Sequence, residues 1–392
     1  MNHRNQHVVI VDDDPHYAEL LREMLDTLDY SVTVFTNPVA FLDSLIPCDS
    51  IVLLDLKMPQ LDGVEVIREM AARDITARIV LVSGYDSGVL HSAQQLAKAH
   101  RLNVVNRITK PVMMNDLRDV LAELEPYQPP GGVRRAQYSG EITADELREA
   151  ILDDQLVLHY QPQLNMKSSE VTGVEALVRW QHPQRGLVFP GQFVGIAEQH
   201  GLIGDLTALV IQRAVEQGRT WAEHNLKWRV SVNVSAENIS SLVLPEELSR
   251  QVEQNRLDPS MLTLEVTESA LMDKLVTSLD ILTRLRMKGF ELSIDDFGTG
   301  YSSLSQLHRV PFTELKIDRS FVMDIEHDEE SRAIVETCVM LGHKLKMNTV
   351  AEGVETEQVC QLLKDMGCET AQGYHIAKPM PADDLLDWYE KR

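Results

Sequence analysis

The segment ELSIDDFGTGYSSL, residues 291–304, joins a strand-like alternation to two adjacent carboxylates and a glycine-rich run. Leu292 and Ile294 alternate with Ser293 and Asp295, Asp296 follows, and Gly298 and Gly300 come just after. Taken alone it reads as a turn, since Asp and Gly are common turn residues. The fold depends on whether other strands in the chain end in the same way.

From residue 140 onward eight strand candidates alternate: LVLHYQPQL, VTGVEALVRW, RVSVNVS, LTLEVTES, ELSIDDF, TELKID, MNTVAEGV and AQGYHIA. Helical patterns such as VTSLDILTRLRMKG and AIVETCVMLGHKL separate most of them. Eight strands with intervening helices in about 250 residues suggest a (β/α)8 TIM-like barrel. A second doubly wound sheet fits the pattern alone as well. Glu175 closes the second strand, Asn233 the third, Glu265 the fourth, and Asp295 and Asp296 the fifth. Lys316 lies in the sixth, Glu352 ends the seventh, and Gln372 lies near the start of the last. Their neighbours are apolar: Val232 and Val234 flank Asn233, Leu264 and Val266 flank Glu265, Leu315 and Ile317 flank Lys316. Alternate residues of a strand face opposite ways, so the polar set shares the barrel interior. Carboxylates gathered there are costly unless cations neutralise them. Adjacent acids at a strand end suit two neighbouring metals, which clamp an in-line displacement at phosphorus. Oxygen ligands with one Asn favour Mg²⁺ or Mn²⁺ over Zn²⁺.

The first 125 residues alternate short apolar strands with amphipathic helices, which predicts a doubly wound parallel sheet of the flavodoxin-like kind. HVVIVDDD, SIVLLDLKMP, RIVLVSGY and NVVNRITKP are strand candidates, and YAELLREMLDTL places Leu20, Leu21, Met24, Leu25 and Leu28 at helical spacing. The polar residues at the strand ends are Asp12, Asp13, Asp55, Ser83 and Lys110. Asp12 and Asp13 offer hard oxygen ligands for Mg²⁺. Asp55 is either a third ligand or a nucleophile towards phosphorus. Ser83 and Lys110 could hold phosphoryl oxygens. Residues 126–139, PYQPPGGVRRAQYS, read as a linker. Thr143 and Glu146 then form a capping box. The expected organisation is therefore 1–125, the linker 126–139, and 140–392.

The formal net charge of −23 argues against a sequence-independent DNA binder. No apolar run is long enough to span a membrane, and MNHRNQHVVIVDDD is too short in apolar residues for a signal peptide. Four cysteines without metal-type spacing read as reduced thiols of a cytoplasmic protein.

These pieces carry two resemblances. VDDDP, LLDLKMPQLDG, LVSG and TKP resemble the receiver domain of two-component response regulators. That implies phosphorylation of Asp55 by a histidine kinase, Mg²⁺ at Asp12, Asp13 and Asp55, and phosphate contacts from Ser83 and Lys110. The family usually carries a switch aromatic three residues before the lysine, where this chain has Arg107. From residue 143 to 390, EALVRW resembles the signature of the EAL family of cyclic di-GMP phosphodiesterases. HYQPQ, NVS, EVTES, DDFGTGYSSL, LKIDRSFV, AEGVET and AQGYHIAKPMP match in order. The resemblance implies hydrolysis of cyclic di-GMP to linear pGpG with two Mg²⁺ or Mn²⁺ ions. Glu175, Asn233, Glu265 and Asp295 would hold one metal; Asp295 and Asp296 would help hold the second, with Glu355 and Gln372 nearby. Glu352 resembles the general base and Lys316 its partner at the attacking water; a metal-ligand Glu352 and a structural Lys316 remain alternatives. Glu268 matches the anchor of the DFGTGYSSL loop. Gln161, Leu177, Arg179, Asp318, Tyr374 and Pro379 match positions lining the nucleotide groove. The family's first barrel strand runs antiparallel to the rest, and both families tend to dimerise, which makes a homo-oligomer the expectation. A catalytically silent receptor for the dinucleotide is the competing function. No GGDEF-like segment is present to support cyclase activity.

Overall fold

The computed structural model describes residues 7–123 and 142–392, apart from 45, 48–49, 74, 76, 85–92, 94–95, 98–101, 274, 299–306 and 308. The expected linker 126–139 lies outside the described residues. The chain forms two compact units, Met1–Gly132 and Val133–Arg392.

In the N-terminal unit five strands, β1 (His7–Val11), β2 (Ser31–Phe35), β3 (Ile51–Asp55), β4 (Arg78–Ser83) and β5 (Asn103–Thr109), form one sheet in the order β2-β1-β3-β4-β5. Every pairing is parallel. This is the flavodoxin-like order. β1 and β3 are apolar at successive positions because both faces are covered. Val8, Ile10, Ile51 and Leu53 pack into one cluster; Val9, Val11, Val52 and Leu54 pack into the other. β2 escaped the sequence reading; as the edge strand SVTVF it is partly exposed along its length. Helix Pro15–Thr27 buries Ala18, Leu21 and Leu25, whereas Leu20 of the apolar stripe is exposed.

The C-terminal unit opens with helix Ala144–Leu152. Its capping box is formed: Glu146 N donates to Thr143 Oγ1 at 3.2 Å, and Thr143 N donates to Glu146 Oε2 at 2.8 Å. Nine strands follow: β6 (Leu156–Asn165), β7 (Val171–His182), β8 (Gly186–Val188), β9 (Arg229–Asn233), β10 (Leu262–Thr267), β11 (Glu291–Phe297), β12 (Glu314–Ile317), β13 (Asn348–Ala351) and β14 (Thr370–Ala371). Their order is β6-β14-β13-β12-β11-β10-β9-β7-β8, and a further β6–β7 pairing closes eight of them into a barrel. β8 hangs from β7 as a short antiparallel ribbon. β6 is antiparallel to both of its barrel neighbours, and the remaining barrel pairings are parallel. The closed sheet decides against a second doubly wound domain.

Two expectations need correction. The last strand is only Thr370–Ala371, so most of AQGYHIA is turn rather than strand. Glu175 and Glu265 lie within their strands rather than at the ends, because β7 runs on to His182 and β10 to Thr267. The alternation itself holds. Val230, Val232, Leu264, Val266, Leu315 and Ile317 join the outer core with Val210, Ile211, Ala214 and Trp221 of helix Ile203–Glu223.

The turn after β14 lies hard against the turn after β13. Val354 N donates to Gln372 O at 3.0 Å, and a Cβ on Gly373 would sit 2.1 Å from Val354 O and 2.2 Å from Val354 N. Backbone cannot yield as a flexible side chain does. Gly373→Ala is therefore expected to cost about 1–3 kcal/mol, the usual scale of overpacking. Thermal denaturation checks this; an unchanged Tm for the barrel unit would refute it.

Candidate active site

The barrel interior is built around one ammonium. Lys316 on β12 is completely buried. Its Nζ lies 2.6 Å from Glu352 Oε1, 2.8 Å from Glu265 Oε2, 3.1 Å from Asp295 Oδ1 and 3.6 Å from Glu175 Oε2. Burial alone would lower its pKa, but the four carboxylates outweigh that and hold it well above the ordinary lysine value. Parallel register brings the partners together: Ile317 pairs with Ala351, one residue before Glu352, and Thr267 pairs with Asp295.

Asp296 joins them through a departure from regular strand geometry. Adjacent strand residues normally face opposite sides. The β11–β12 register shifts between Ile294 and Phe297, and Asp296 has a φ of +54°. Such a bulge re-aims a side chain. Carboxylate oxygens of Asp295, Asp296 and Glu352 then lie within 4.8 Å of one another. Gly298, two residues on, has a φ of +99°, and its N–H donates to Glu268 Oε2 at 3.4 Å. Glu268 thus holds the start of the loop it was expected to anchor; Gly300 and the rest of that loop lie outside the described residues.

The charges do not balance internally. Glu175, Glu265, Asp295, Asp296 and Glu352 face one ammonium, a formal surplus of four negative charges (five minus one). The surplus shows in proton affinity. Burial pushes Glu352 up to about 8, assisted by Asp295 and Glu175 and opposed by Lys316. Burial, with Asp295 and Asp318 beside it, pushes Asp296 up to about 7. Burial likewise drives Glu265 well above the carboxylate range, and its Oε1 has no hydrogen-bond partner among the described residues. Two divalent cations would cancel a surplus of four, and the donor set of carboxylates plus the Asn233 amide suits hard cations. The residues present fit such ions.

Amides frame the acids. Asn233 Nδ2 donates to Glu175 Oε1 at 3.1 Å. Gln372 Nε2 donates to Glu175 Oε2 and, at 3.1 Å, to Gln161 Oε1. Leu177 and Arg179 follow Glu175 on the same face of β7; Arg179 is buried, donates to Val178 O at 2.8 Å and lies over the Phe189 ring. Asp318 caps helix Arg319–Met323 and accepts from Ser320 N at 2.9 Å. Tyr374 is exposed with Lys378 over its ring, and Pro379 is partly buried. Glu355 is exposed, and no described hydrogen bond or ion pair ties it to the acid cluster. The sequence reading missed Gly373 and Gln163, whose roles depend on cross-strand approach rather than on spacing.

The N-terminal unit gathers a second acid group. Oxygens of Asp12, Asp13 and Asp55 lie within 4.8 Å of one another. Lys110 Nζ bridges Asp12 Oδ2 and Asp55 Oδ2, at 2.7 Å from each, and lies over the Tyr17 ring. Burial raises the Asp55 pKa despite Lys110. Ser83 is fully buried at the end of β4, and Lys110 N donates to its carbonyl at 2.9 Å. Helix Gly63–Ala72 begins so close that a Cβ on Gly63 would lie 2.6 Å from Asp55 O. Arg107 lies on β5 opposite Leu81; its side chain is outside the described residues.

Residues 144–379 match the EAL domain, and residues 8–122 match the response regulator receiver domain. Over 242 residues the chain is 46% identical to the bifunctional diguanylate cyclase/cyclic di-GMP phosphodiesterase MucR of Pseudomonas aeruginosa, covering 62% of this chain and 35% of that protein. It is 38% identical over 245 residues to the cyclic di-GMP phosphodiesterase PdeR of Escherichia coli K12, covering 62% of this chain and 37% of that protein. The chain thus spans about a third of the length of these curated relatives. A solved MucR phosphodiesterase complex with c-di-GMP superposes with a TM-score of 0.60 at 45% identity, covering 62% of this chain and 98% of the solved one. The chain belongs to the EAL family and carries a response regulator receiver domain ahead of its barrel.

The acid surplus sets a pH dependence. The fold keeps protons on Glu352 up to about 8 and on Asp296 up to about 7, whereas the ordinary values are 4.5 and 3.8. Between about pH 4 and pH 8 these two carboxyls bind more protons in the folded state than in the unfolded chain, so their contribution to stability falls as pH rises. With chelator present, the Tm of the barrel unit is expected to decline across that window. Saturating Mg²⁺ or Mn²⁺ would replace the protons if the acids hold such ions, and the decline should then flatten. A Tm that climbs with pH in chelator would contradict this account.

Proposed function

We propose that this chain hydrolyses cyclic di-GMP to linear pGpG, and that phosphorylation of Asp55 by a histidine kinase modulates the rate. The carrying observation is the buried Lys316 ammonium enclosed by four carboxylates, with a fifth beside them. Glu175, Asn233, Glu265, Asp295 and Asp296 would hold two divalent cations, Mg²⁺ or Mn²⁺. Those ions would neutralise the acids, polarise the phosphodiester and acidify water at neutral pH.

The chain's own residues account for the remaining tasks. Arg179 offers a guanidinium to a substrate phosphate, a geometry suited to bidentate pairing. Gln161, Leu177, Asp318, Gln372, Tyr374 and Pro379 would line the dinucleotide. Glu352, its own proton displaced when the cations are bound, takes the proton of the attacking water at a carboxylate oxygen, and Lys316 holds Glu352 at 2.6 Å. The water oxygen bonds to phosphorus, the P–O3′ bond breaks, and the departing 3′ oxygen gains a proton, which opens the ring. The similarity to MucR and PdeR, both named for cyclic di-GMP, supports this substrate.

In the receiver unit the Asp12–Asp13–Asp55 group would hold Mg²⁺, and Asp55 accepts the phosphoryl group while Lys110 and Ser83 contact its oxygens. Burial of Asp55 beside Lys110 supports that reading.

Two variants test the proposal. Glu352→Ala should lower kcat for cyclic di-GMP by about 10²–10⁴, the range of general-base contributions. Full activity in that variant would end the base assignment, and an intact ring after incubation with saturating wild-type protein and Mg²⁺ would favour the silent-receptor reading. Asp55→Ala should abolish any change in turnover caused by a small phosphodonor while leaving basal turnover intact; a persisting response would remove Asp55 from the role.

A further inference from the structure

Of the four carboxylates that reach Lys316, Glu175 is the farthest, at 3.6 Å, and amides also hold it. One of those amides is itself steered from deeper in the barrel. Gln163 on β6 is buried, 4% exposed, and belongs to neither the acid cluster nor the nucleotide groove. Its Nε2 donates to Gln372 Oε1 at 3.0 Å. Gln372 Nε2 donates to Glu175 Oε2 and to Gln161 Oε1. Gln161 in turn donates to Ala377 O at 3.1 Å.

A carboxamide can present either its oxygen or its NH2 group, and the two ends have opposite effects on a neighbouring carboxylate. At Gln372 the choice is settled by the donor that meets its oxygen. With Gln163 N–H against Gln372 Oε1, the NH2 end must face Glu175. Strand register makes room for this: Gln163 pairs with Gly173 and Gln161 with Glu175 across β6 and β7. A Cβ on residue 173 would lie 3.0 Å from Gln163 Oε1 and 2.9 Å from Arg229 O, so glycine there leaves space for the buried amide.

We propose that Gln163 is a positioning residue for the divalent-cation site: it fixes the orientation of Gln372, which aims Glu175. This rests on the reading of Glu175 as a cation ligand. Gln163→Met removes the donor with little change of shape. Gln163→Glu goes further, because an ionised carboxylate accepts rather than donates. It would draw the Gln372 NH2 towards residue 163 and turn Gln372 Oε1 towards Glu175. A role confined to packing does not order the two variants in this way.

The test uses the full chain carrying Asp12→Asn and Asp13→Asn to silence the receiver acids. The metal-stripped protein is titrated with Mn²⁺ while free ion is followed by electron paramagnetic resonance, and Tm is recorded in parallel. Direct outer-shell partners of metal ligands typically contribute about 10–100-fold to affinity, and Gln163 stands one hydrogen bond beyond Gln372. The Mn²⁺ Kd should therefore rise less in Gln163→Met, about threefold, and at least about tenfold in Gln163→Glu, which reverses the Gln372 amide itself. Equal Kd values in wild type and both folded variants would overturn the role of Gln163 and leave the cation reading standing. A loss of Tm without a change in Kd would do the same. If the Asp12→Asn, Asp13→Asn chain with Gln163 intact bound no Mn²⁺, the cation reading would fail and this proposal with it.

Discussion

The barrel depends on a single buried ion cluster in which one lysine ammonium faces four carboxylates. Removing charges from water is costly, and an unpaired buried charge is more costly still. Lys316 can be fully enclosed because Glu352, Glu265 and Asp295 all lie within 3.1 Å of Nζ. Those same acids can share the interior only because Lys316 is there. Neither partner is tolerable alone, so the strands carrying them are tied to one another. A β12 that slipped by one residue would turn Lys316 into the outer apolar layer and strand five acids on the axis.

The secondary structure around that cluster is regular where it supplies scaffold and irregular where it supplies chemistry. β9, β10 and β12 alternate without interruption, and their apolar halves feed one continuous outer core. Besides a register shift deeper in the barrel, at Gln163–Leu164 on β6, three irregularities lie at the mouth: the bulge at Asp296, the left-handed Gly298 held by Glu268, and the backbone contact of Gly373 with Val354. Each brings a polar group to a place that a regular strand would not reach. Such departures are common beside active sites and persist because the surrounding structure over-determines them.

This division explains what could be read from the residues alone. Alternation identified every barrel strand at least approximately, and the recurrence of acids along them pointed to the shared interior. The five-stranded sheet was likewise visible, except β2, whose SVTVF pattern is weak because an edge strand buries less. Boundaries failed where strand character and strand pairing diverge. AQGYHIA looks extended, but only Thr370–Ala371 finds partners before the chain turns against Val354. Glu175 was taken for a strand end because sequence does not show how far β7 continues to pair with β8. Gln163 was invisible for a related reason: its importance lies in a hydrogen bond to a residue 209 positions away.

The choice of lysine for the central cation follows from the same geometry. A guanidinium is planar and presents its donors in a fixed fork, which suits one or two carboxylates approaching in its plane. The ammonium of Lys316 is compact and is met from four strands or strand ends at once. It cannot neutralise all of them, and that shortfall raises the proton affinity of Glu352 and Asp296. A second internal lysine would still leave a formal surplus of three negative charges (five minus two). With one lysine, the interior is held together tightly enough to fold, while the formal surplus of four negative charges is met in part by protons on Glu352 and Asp296, which converge with Asp295 at the mouth. Glu175, the farthest of the four acids that reach the ammonium, is held by amides from Asn233 and Gln372. Neutral donors fix its position without adding a positive charge beside it.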